Sequence, residues 1–271
     1  MEFRPEPLPK ETFAKKILAN GNTLMTQSVS IANARISALM AFALIMLCCS
    51  MVLEAWNNWA VIHNMLIVAD KQTMLMLNFK GSVMTDQFWY GYSHMNAWTP
   101  LIVTAVASVV YFHPGTWKDK LLLLLSIAIL ITVLDQVSSS VIKPLTARLR
   151  PSHDPSTCYL LHYVNNYHGG NFGFVSGHAT NIVGITTVLC HIFRNRLTRF
   201  TLCLFAVMMC YSRIYLGVHF PGDILCGALL GFTIASLAMR WFGKRMRIYA
   251  TDSCPYPIIA VFACTLVYLC I

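Results

Sequence analysis

Long apolar runs broken by short polar segments dominate the chain. Ile36–Leu53 is 18 residues without a charge, near the low end of the ~17–25 residues needed to cross the hydrocarbon core of a bilayer. Ala97–Phe112, Leu121–Ile142, Gly177–Phe193, Phe200–Gly217 and Gly222–Phe242 repeat the pattern, so six spans are predicted. Pro257–Ile271 is apolar over 15 residues and fits either a short seventh span or a helix packed at the membrane surface. Glu54–Trp98 mixes polar and apolar positions with Trp56, Trp59, Trp89, Tyr90, Tyr92 and Trp98. Tryptophan and tyrosine favour the headgroup level, which predicts an interfacial helix near Val61–Phe79 and then a loop. Met1–Arg35 is polar, and no apolar run follows its first basic residues at signal-peptide distance. It reads as a cytoplasmic tail, disordered or carrying a short amphipathic helix near Glu11–Ala19. The organisation expected is an all-α polytopic membrane protein: a tail at 1–35, a transmembrane domain at 36–242, and a basic loop with an apolar segment at 243–271.

Composition supports this class. Of 271 residues, 56% are hydrophobic and 11% charged, too apolar for an ordinary soluble domain. The net charge of +9 could suggest nucleic acid, but the cations form no basic face. They fall in clusters between apolar runs. With the N-terminus inside, Lys10, Lys15, Lys16, Arg35, Lys118, Lys120, Arg194, Arg196, Arg199, Arg240, Lys244, Arg245 and Arg247 all lie on the cytoplasmic side, as the positive-inside rule requires. The ten cysteines contain no CxxC pair, and most lie in apolar runs, where cysteine acts as a small hydrophobe.

One stretch breaks the apolar pattern with chemistry. It reads KPLTARLRP at Lys143–Pro151, VSGHAT at Val175–Thr180 and SRIYLGVHFPGD at Ser212–Asp223. Ionisable residues beside membrane spans are costly and by default mark a functional site. The topology above places Lys143, Arg150, His178, Arg213, His219 and Asp223 together on the non-cytoplasmic side, where other cations are scarce. Arg148 fits an ordinary snorkelling cation. Pro221 and Gly222 suit the start of a helix, from whose first turn Asp223 can reach back to a ring nitrogen of His219, leaving the other nitrogen to attack. Ser176 reads as an N-cap, and the helix N-terminus behind it suits a phosphate. Gly177 allows close approach to the backbone, and His178 stands beside that anion site as a proton donor. Arginine binds phosphate oxygens with a fork and lysine with a point charge. Asp135, inside the third span, pairs with a neighbouring polar group or Gln136, or borders a substrate cleft; Asn181 bonds between helices. His153, Asp154, His162 and His168 in the long Pro144–Val175 loop show no metal-ligand spacing.

These segments closely resemble the type 2 phosphatidic acid phosphatase (PAP2) superfamily, whose motifs are K-x6-RP, PSGH and SR-x5-H-x3-D. The first and third are complete, and in the second Val175 replaces the proline. The resemblance covers roughly residues 78–242 and is strongest to bacterial members. It implies a six-helix bundle and a two-step phosphoryl transfer on a membrane lipid. His219 would be the nucleophile, Asp223 its orienting partner and His178 the general acid. Lys143, Arg150, Ser176, Gly177 and Arg213 would hold the phosphoryl group, without metal or other cofactor. The implied substrates are lipid A, undecaprenyl pyrophosphate, phosphatidylglycerophosphate or phosphatidic acid, at the outer face of the bacterial inner membrane. The same residues would serve a lipid phosphotransferase, and a non-catalytic lipid-phosphate transporter is a third reading. No nucleic-acid partner is implied, and sequence is silent on oligomeric state.

Overall fold

A computed structural model describes residues 10–245 and 248–271. Its described residues are mostly helical, with two isolated β-bridges and no strand. The chain divides into two units, one ending at Met65 and the other comprising Leu66–Ile271.

In the first unit the chain forms most of α1, Lys10–Leu77. The span predicted at Ile36–Leu53 and the interfacial helix predicted near Val61–Phe79 are therefore one element. No glycine or proline interrupts residues 36–77, so nothing in the covalent chain stops helix propagation. Leu39, Phe42, Ile45, Met51 and Trp59 are all exposed, as side chains that face lipid are. The tail from Lys10 is also helical along its backbone; residues 1–9 lie outside the described residues.

The second unit is a helical bundle. The end of α1 leads to α2 (Val83–Ser93), a 3-10 turn at Met95–Trp98, α3 (Thr99–Phe112) and α4 (Trp117–Asp135). Thr116 caps α4 with a reciprocal bond to Asp119, a capping box that sets where this helix begins. Beyond Asp135 the helix widens into a π segment, Gln136–Ile142, and ends in a short turn, α5 (Lys143–Thr146). The long loop follows, then α6 (Gly177–Ile192), α7 (Arg196–Tyr215), α8 (Pro221–Phe242) and α9 (Tyr256–Cys270).

Five helical stretches among the described residues are long and apolar enough to cross a membrane: Leu39–Leu77, Met95–Phe112, Trp117–Thr146, Arg196–Tyr215 and Pro221–Trp241. The predicted fourth span, α6, has only 16 residues. It packs against α4, α7 and α8, so protein rather than lipid covers much of it. The last apolar run is also a helix, α9, packed on α2, α3 and α7 through Ile258 and Phe262.

Glycines set how closely α6 approaches α8. A Cβ on Gly227 would stand 2.7 Å from the Ser176 carbonyl oxygen, and one on Gly231 would overlap that of Thr180. Small residues four apart let two membrane helices touch backbone to backbone. This contact holds the first turns of α6 and α8 side by side; the backbone N–H of Ser176 donates to the Asp223 carbonyl at 3.1 Å. Behind them lies an apolar core built on Tyr92, Trp98, Leu134, Met209 and Phe262.

Candidate active site

Four helix ends meet at one end of this bundle. Lys143 closes the π segment after α4, His178 lies in the first turn of α6, Arg213 in the last turn of α7 and Asp223 in the first turn of α8. Hydrophobic spans fix where each helix runs, and the caps fix where each ends. Antiparallel neighbours then present motif residues from three distant segments on one face.

A cavity of about 600 Å³ opens there. Six of the eight predicted site residues line it: Lys143, Arg150, Gly177, His178, Arg213 and His219. Asp223 and Ser176 do not. Asp223 is fully buried behind His219, its Oδ2 atom 3.6 Å from His219 Nδ1. That oxygen accepts instead from the Phe220 backbone N–H at 3.0 Å, so the carboxylate faces the imidazole from beyond hydrogen-bond distance. Ser176 is fully buried and caps α6, its Oγ accepting from the Ala179 N–H at 3.4 Å.

The cavity head is strongly electropositive. Arg213 is 3% exposed. It donates to the Ser93 hydroxyl and, at 3.2 Å, to the Tyr167 hydroxyl. Its Nε has no partner, and an orphaned buried donor in a native site calls for a missing acceptor. Arg150 donates through Nε to the Phe172 carbonyl at 3.1 Å. Burial first, and then the nearby Arg213 charge, disfavour its guanidinium cation and pull its pKa below the usual value. Gly169 takes φ +69°, and a side chain there would strike the Arg150 guanidinium, so glycine meets both the left-handed backbone and the close approach. Like charges crowded this way are relieved when an anion binds between them. His219 is 1% exposed. Burial, then Arg150, Arg213 and Lys143, push its pKa well below the usual histidine value, against a weaker opposing pull from the Gly173 backbone. The imidazole is therefore neutral, which is its nucleophilic form.

Arg148 is not an independent surface cation, contrary to the reading of its sequence position. Its Nη1 donates to Asp223 Oδ1 at 2.8 Å and its Nη2 to Asp70 Oδ2 at 2.5 Å. The guanidinium also lies 4.5 Å from the Phe220 ring centroid. Asp70, from the last turns of α1, accepts in addition from the Gly222 N–H at 2.7 Å. A two-pronged cation thus ties the carboxylate behind His219 to a second carboxylate on α1. Sequence reasoning missed Asp70, although an acidic residue inside an apolar helical run is itself a signal.

The long loop is anchored rather than free. Lys71 pairs with Asp154 at 2.7 Å, and the Asn78 side chain bridges the His162 backbone and the Tyr215 carbonyl. His162 Nε2 lies 2.9 Å from Asp86 Oδ2. These bonds engage His162 and Asp154, and among the described residues no cluster of three potential metal ligands forms. Deeper in the cavity Asn181 Nδ2 donates to Asp135 Oδ1 at 3.3 Å, joining α6 to α4 as the sequence suggested.

Known proteins match the part of the chain that carries these residues. The family model described as PAP2 superfamily matches residues 120–247. A lipid A 4′-phosphatase of Porphyromonas gingivalis is 31% identical over 198 residues, covering 73% of this chain and 83% of the relative. One from Bacteroides thetaiotaomicron is 37% identical over 172 residues, covering 60% of this chain and 73% of the relative. Among solved structures, a transmembrane PAP2-type phosphatidylglycerolphosphate phosphatase from Bacillus subtilis matches with a TM-score of 0.52 and 27% identity, over 68% of this chain and 90% of that one.

Proposed function

This chain belongs to the PAP2 superfamily and is an integral-membrane phosphatase, and from that premise we propose that it hydrolyses a phosphate ester or pyrophosphate on a membrane lipid through a phosphohistidine. The observation that carries this reading is a cavity shared by both kinds of surface: six motif residues line its head, and apolar side chains such as Ile102, Val106 and Ile127 line most of its depth. Such a space takes a phosphate at one end and hydrocarbon at the other.

In the first step His219 Nε2 attacks phosphorus while Nδ1 faces Asp223. An N–P bond forms, the P–O bond to the lipid breaks, and His178 gives a proton to the departing oxygen. In the second step His178 takes a proton from water as that water attacks phosphorus, and the N–P bond breaks to release phosphate. Lys143, Arg150, Arg213 and the Gly177 amide hold the equatorial oxygens, where charge develops. Ser176 acts by capping the helix that presents that amide. The imidazolium character that grows on His219 during attack is stabilised by the buried Asp223 carboxylate. The distribution of cations along the chain supports a site at the non-cytoplasmic face of the bacterial inner membrane.

The test is phosphate release by purified protein in detergent with a chelator present. Lipid A, undecaprenyl pyrophosphate, phosphatidylglycerophosphate and phosphatidic acid form the panel. The names of the relatives put lipid A first. Wild type should release phosphate from at least one of them, and His219→Ala from none. Release that survives His219→Ala would overturn the mechanism.

A further inference from the structure

The cavity is layered along its length, and the layers are the same on both of its main walls. Along α4 and the π segment, passing inward from the head, the lining residues are Lys143, Ser139, Asp135, Ile131 and Ile127. Along α6 they are His178, Asn181, Ile182, Ile185, Thr186 and Leu189. Each wall therefore runs from cation or histidine, through hydrogen-bonding side chains, to a mainly hydrocarbon end, in which the Thr186 hydroxyl is the exception on α6. The middle layer has the opposite character to the head: the head offers donors and positive charge, the middle offers acceptors. Asp135 Oδ1 accepts from Asn181 Nδ2 and, at 3.5 Å, from the Ser139 hydroxyl. That orientation turns Asn181 Oδ1 away from the pair, and it is left buried without a partner. A buried acceptor with no donor is unfavourable, so the arrangement calls for a donor supplied from within the cavity. Bonding α4 to α6 explains the Asn181 nitrogen. It does not explain the orphaned oxygen or the grouping of Asp135, Ser139 and Asn181 at one level of the cavity wall.

We propose that Asp135, Ser139 and Asn181 form a recognition subsite for a hydrogen-bond donor, a hydroxyl or amide N–H, on the part of the lipid that carries the phosphate. The inference rests on the phosphatase reading of the same cavity and adds a substrate class to it. Asn181 follows His178 by three residues, about 4.5 Å along the helix axis. A donor meeting this layer therefore lies two or three carbons from the oxygen that His178 protonates. Lipids built as phosphate, then a donor-bearing sugar or glycerol, then chains match all three layers in order. Polyprenyl phosphates place hydrocarbon directly in the acceptor layer, and phosphatidic acid offers only ester oxygens there, which are acceptors themselves.

The test uses one matched pair of lipids. The first is a diacyl glucosamine 4-phosphate with a free 6-hydroxyl and an amide-linked chain. The second is its 6-deoxy counterpart with an ester in place of the amide. Phosphate release gives kcat/KM for each, and equilibrium binding of each to His219→Ala gives an affinity ratio that needs no turnover. Wild type should prefer the donor-bearing lipid by roughly 10–100-fold, as for a hydrogen bond to a charged partner. The ratio should fall towards one in Asp135→Leu and in Asn181→Leu. Equal kcat/KM for the two lipids in wild type overturns the subsite without reference to any variant, and leaves the hydrolase reading standing. A preference that both variants retain overturns it as well, because the pair then only braces α4 against α6. A binding preference with no phosphate released from either lipid keeps the subsite and removes the hydrolase reading. Neither binding nor release of either lipid removes both.

Discussion

Replacing Arg148 with glutamine isolates what holds Asp223 in place. The wild-type guanidinium spans two carboxylates, 2.8 Å from Asp223 and 2.5 Å from Asp70. The Asp223 side chain is fully buried, that of Asp70 is 13% exposed, and that of Arg148 is 27% exposed. Removing one partner of a fully buried pair costs ~3–5 kcal/mol. Here Asp223 keeps its bond from the Phe220 N–H and Asp70 can be hydrated, so about 2–4 kcal/mol is expected after screening at the exposed side. For a unit of this size that lowers the melting temperature in detergent by about 5–15 °C. The rate effect comes through position: a carboxylate free to turn no longer aligns His219, and the loss of such an outer partner reduces activity by ~10–100-fold. Arg148→Lys should recover part of this, because an ammonium reaches one carboxylate but cannot fork between two. Asp70→Asn should lie between the two variants, and with Arg148→Gln it should be strongly non-additive. The readouts are kcat and KM on the preferred lipid, with thermal unfolding in parallel. Arg148→Gln that keeps kcat within about two-fold of wild type, with an unshifted melting temperature, would refute the reasoning and return Arg148 to a surface cation.

Other predictions follow from the same geometry. Lys143→Ala or Arg213→Ala should each lower kcat by ~10²–10³-fold, as for a lost oxyanion donor, whereas His219→Ala should leave no measurable phosphate release. The folded-state pKa of His219 lies well below its unfolded value, so the unfolded chain takes up a proton near pH 6.5 that the folded protein refuses. Stability should therefore fall as pH drops below about 6.5, by up to ~1.4 kcal/mol per unit, and His219→Gln should flatten that part of a melting curve series. Gly231→Val would drive a side chain into the Thr180 carbonyl and separate α6 from α8; a loss of about 1–3 kcal/mol or more, read as a lower melting temperature, is expected. Vanadate, which adopts the trigonal-bipyramidal geometry of phosphoryl transfer, should inhibit at well below substrate concentrations.

Much of this protein can be read from its sequence, because membrane insertion is a local property. A run such as Leu121–Ile142 must become a helix in lipid whatever its neighbours do, since its backbone groups can only bond internally. Helix ends are local too: Ser176, Pro221 and Asp223 announce theirs through capping chemistry. Once the spans alternate, the ends bearing Lys143, His178, Arg213 and Asp223 must share a side, and the motif spacing names the chemistry. The structure decided what depends on contacts between distant segments. Arg148 and Asp223 lie 75 positions apart, and nothing in either's neighbours says that one guanidinium serves both Asp223 and Asp70. Ser176 caps its helix as the sequence indicates, but it does not line the cavity, because the close α6–α8 contact buries it. Nor does the chain around Ile36–Phe79 mark where a spanning helix would give way to an interfacial one; with no helix breaker present, backbone bonding simply continues. Periodicity and capping act over one or two turns, which the sequence records directly. Charge pairing, burial and the layering of a cavity act across space, and only the packed helices bring those partners within reach.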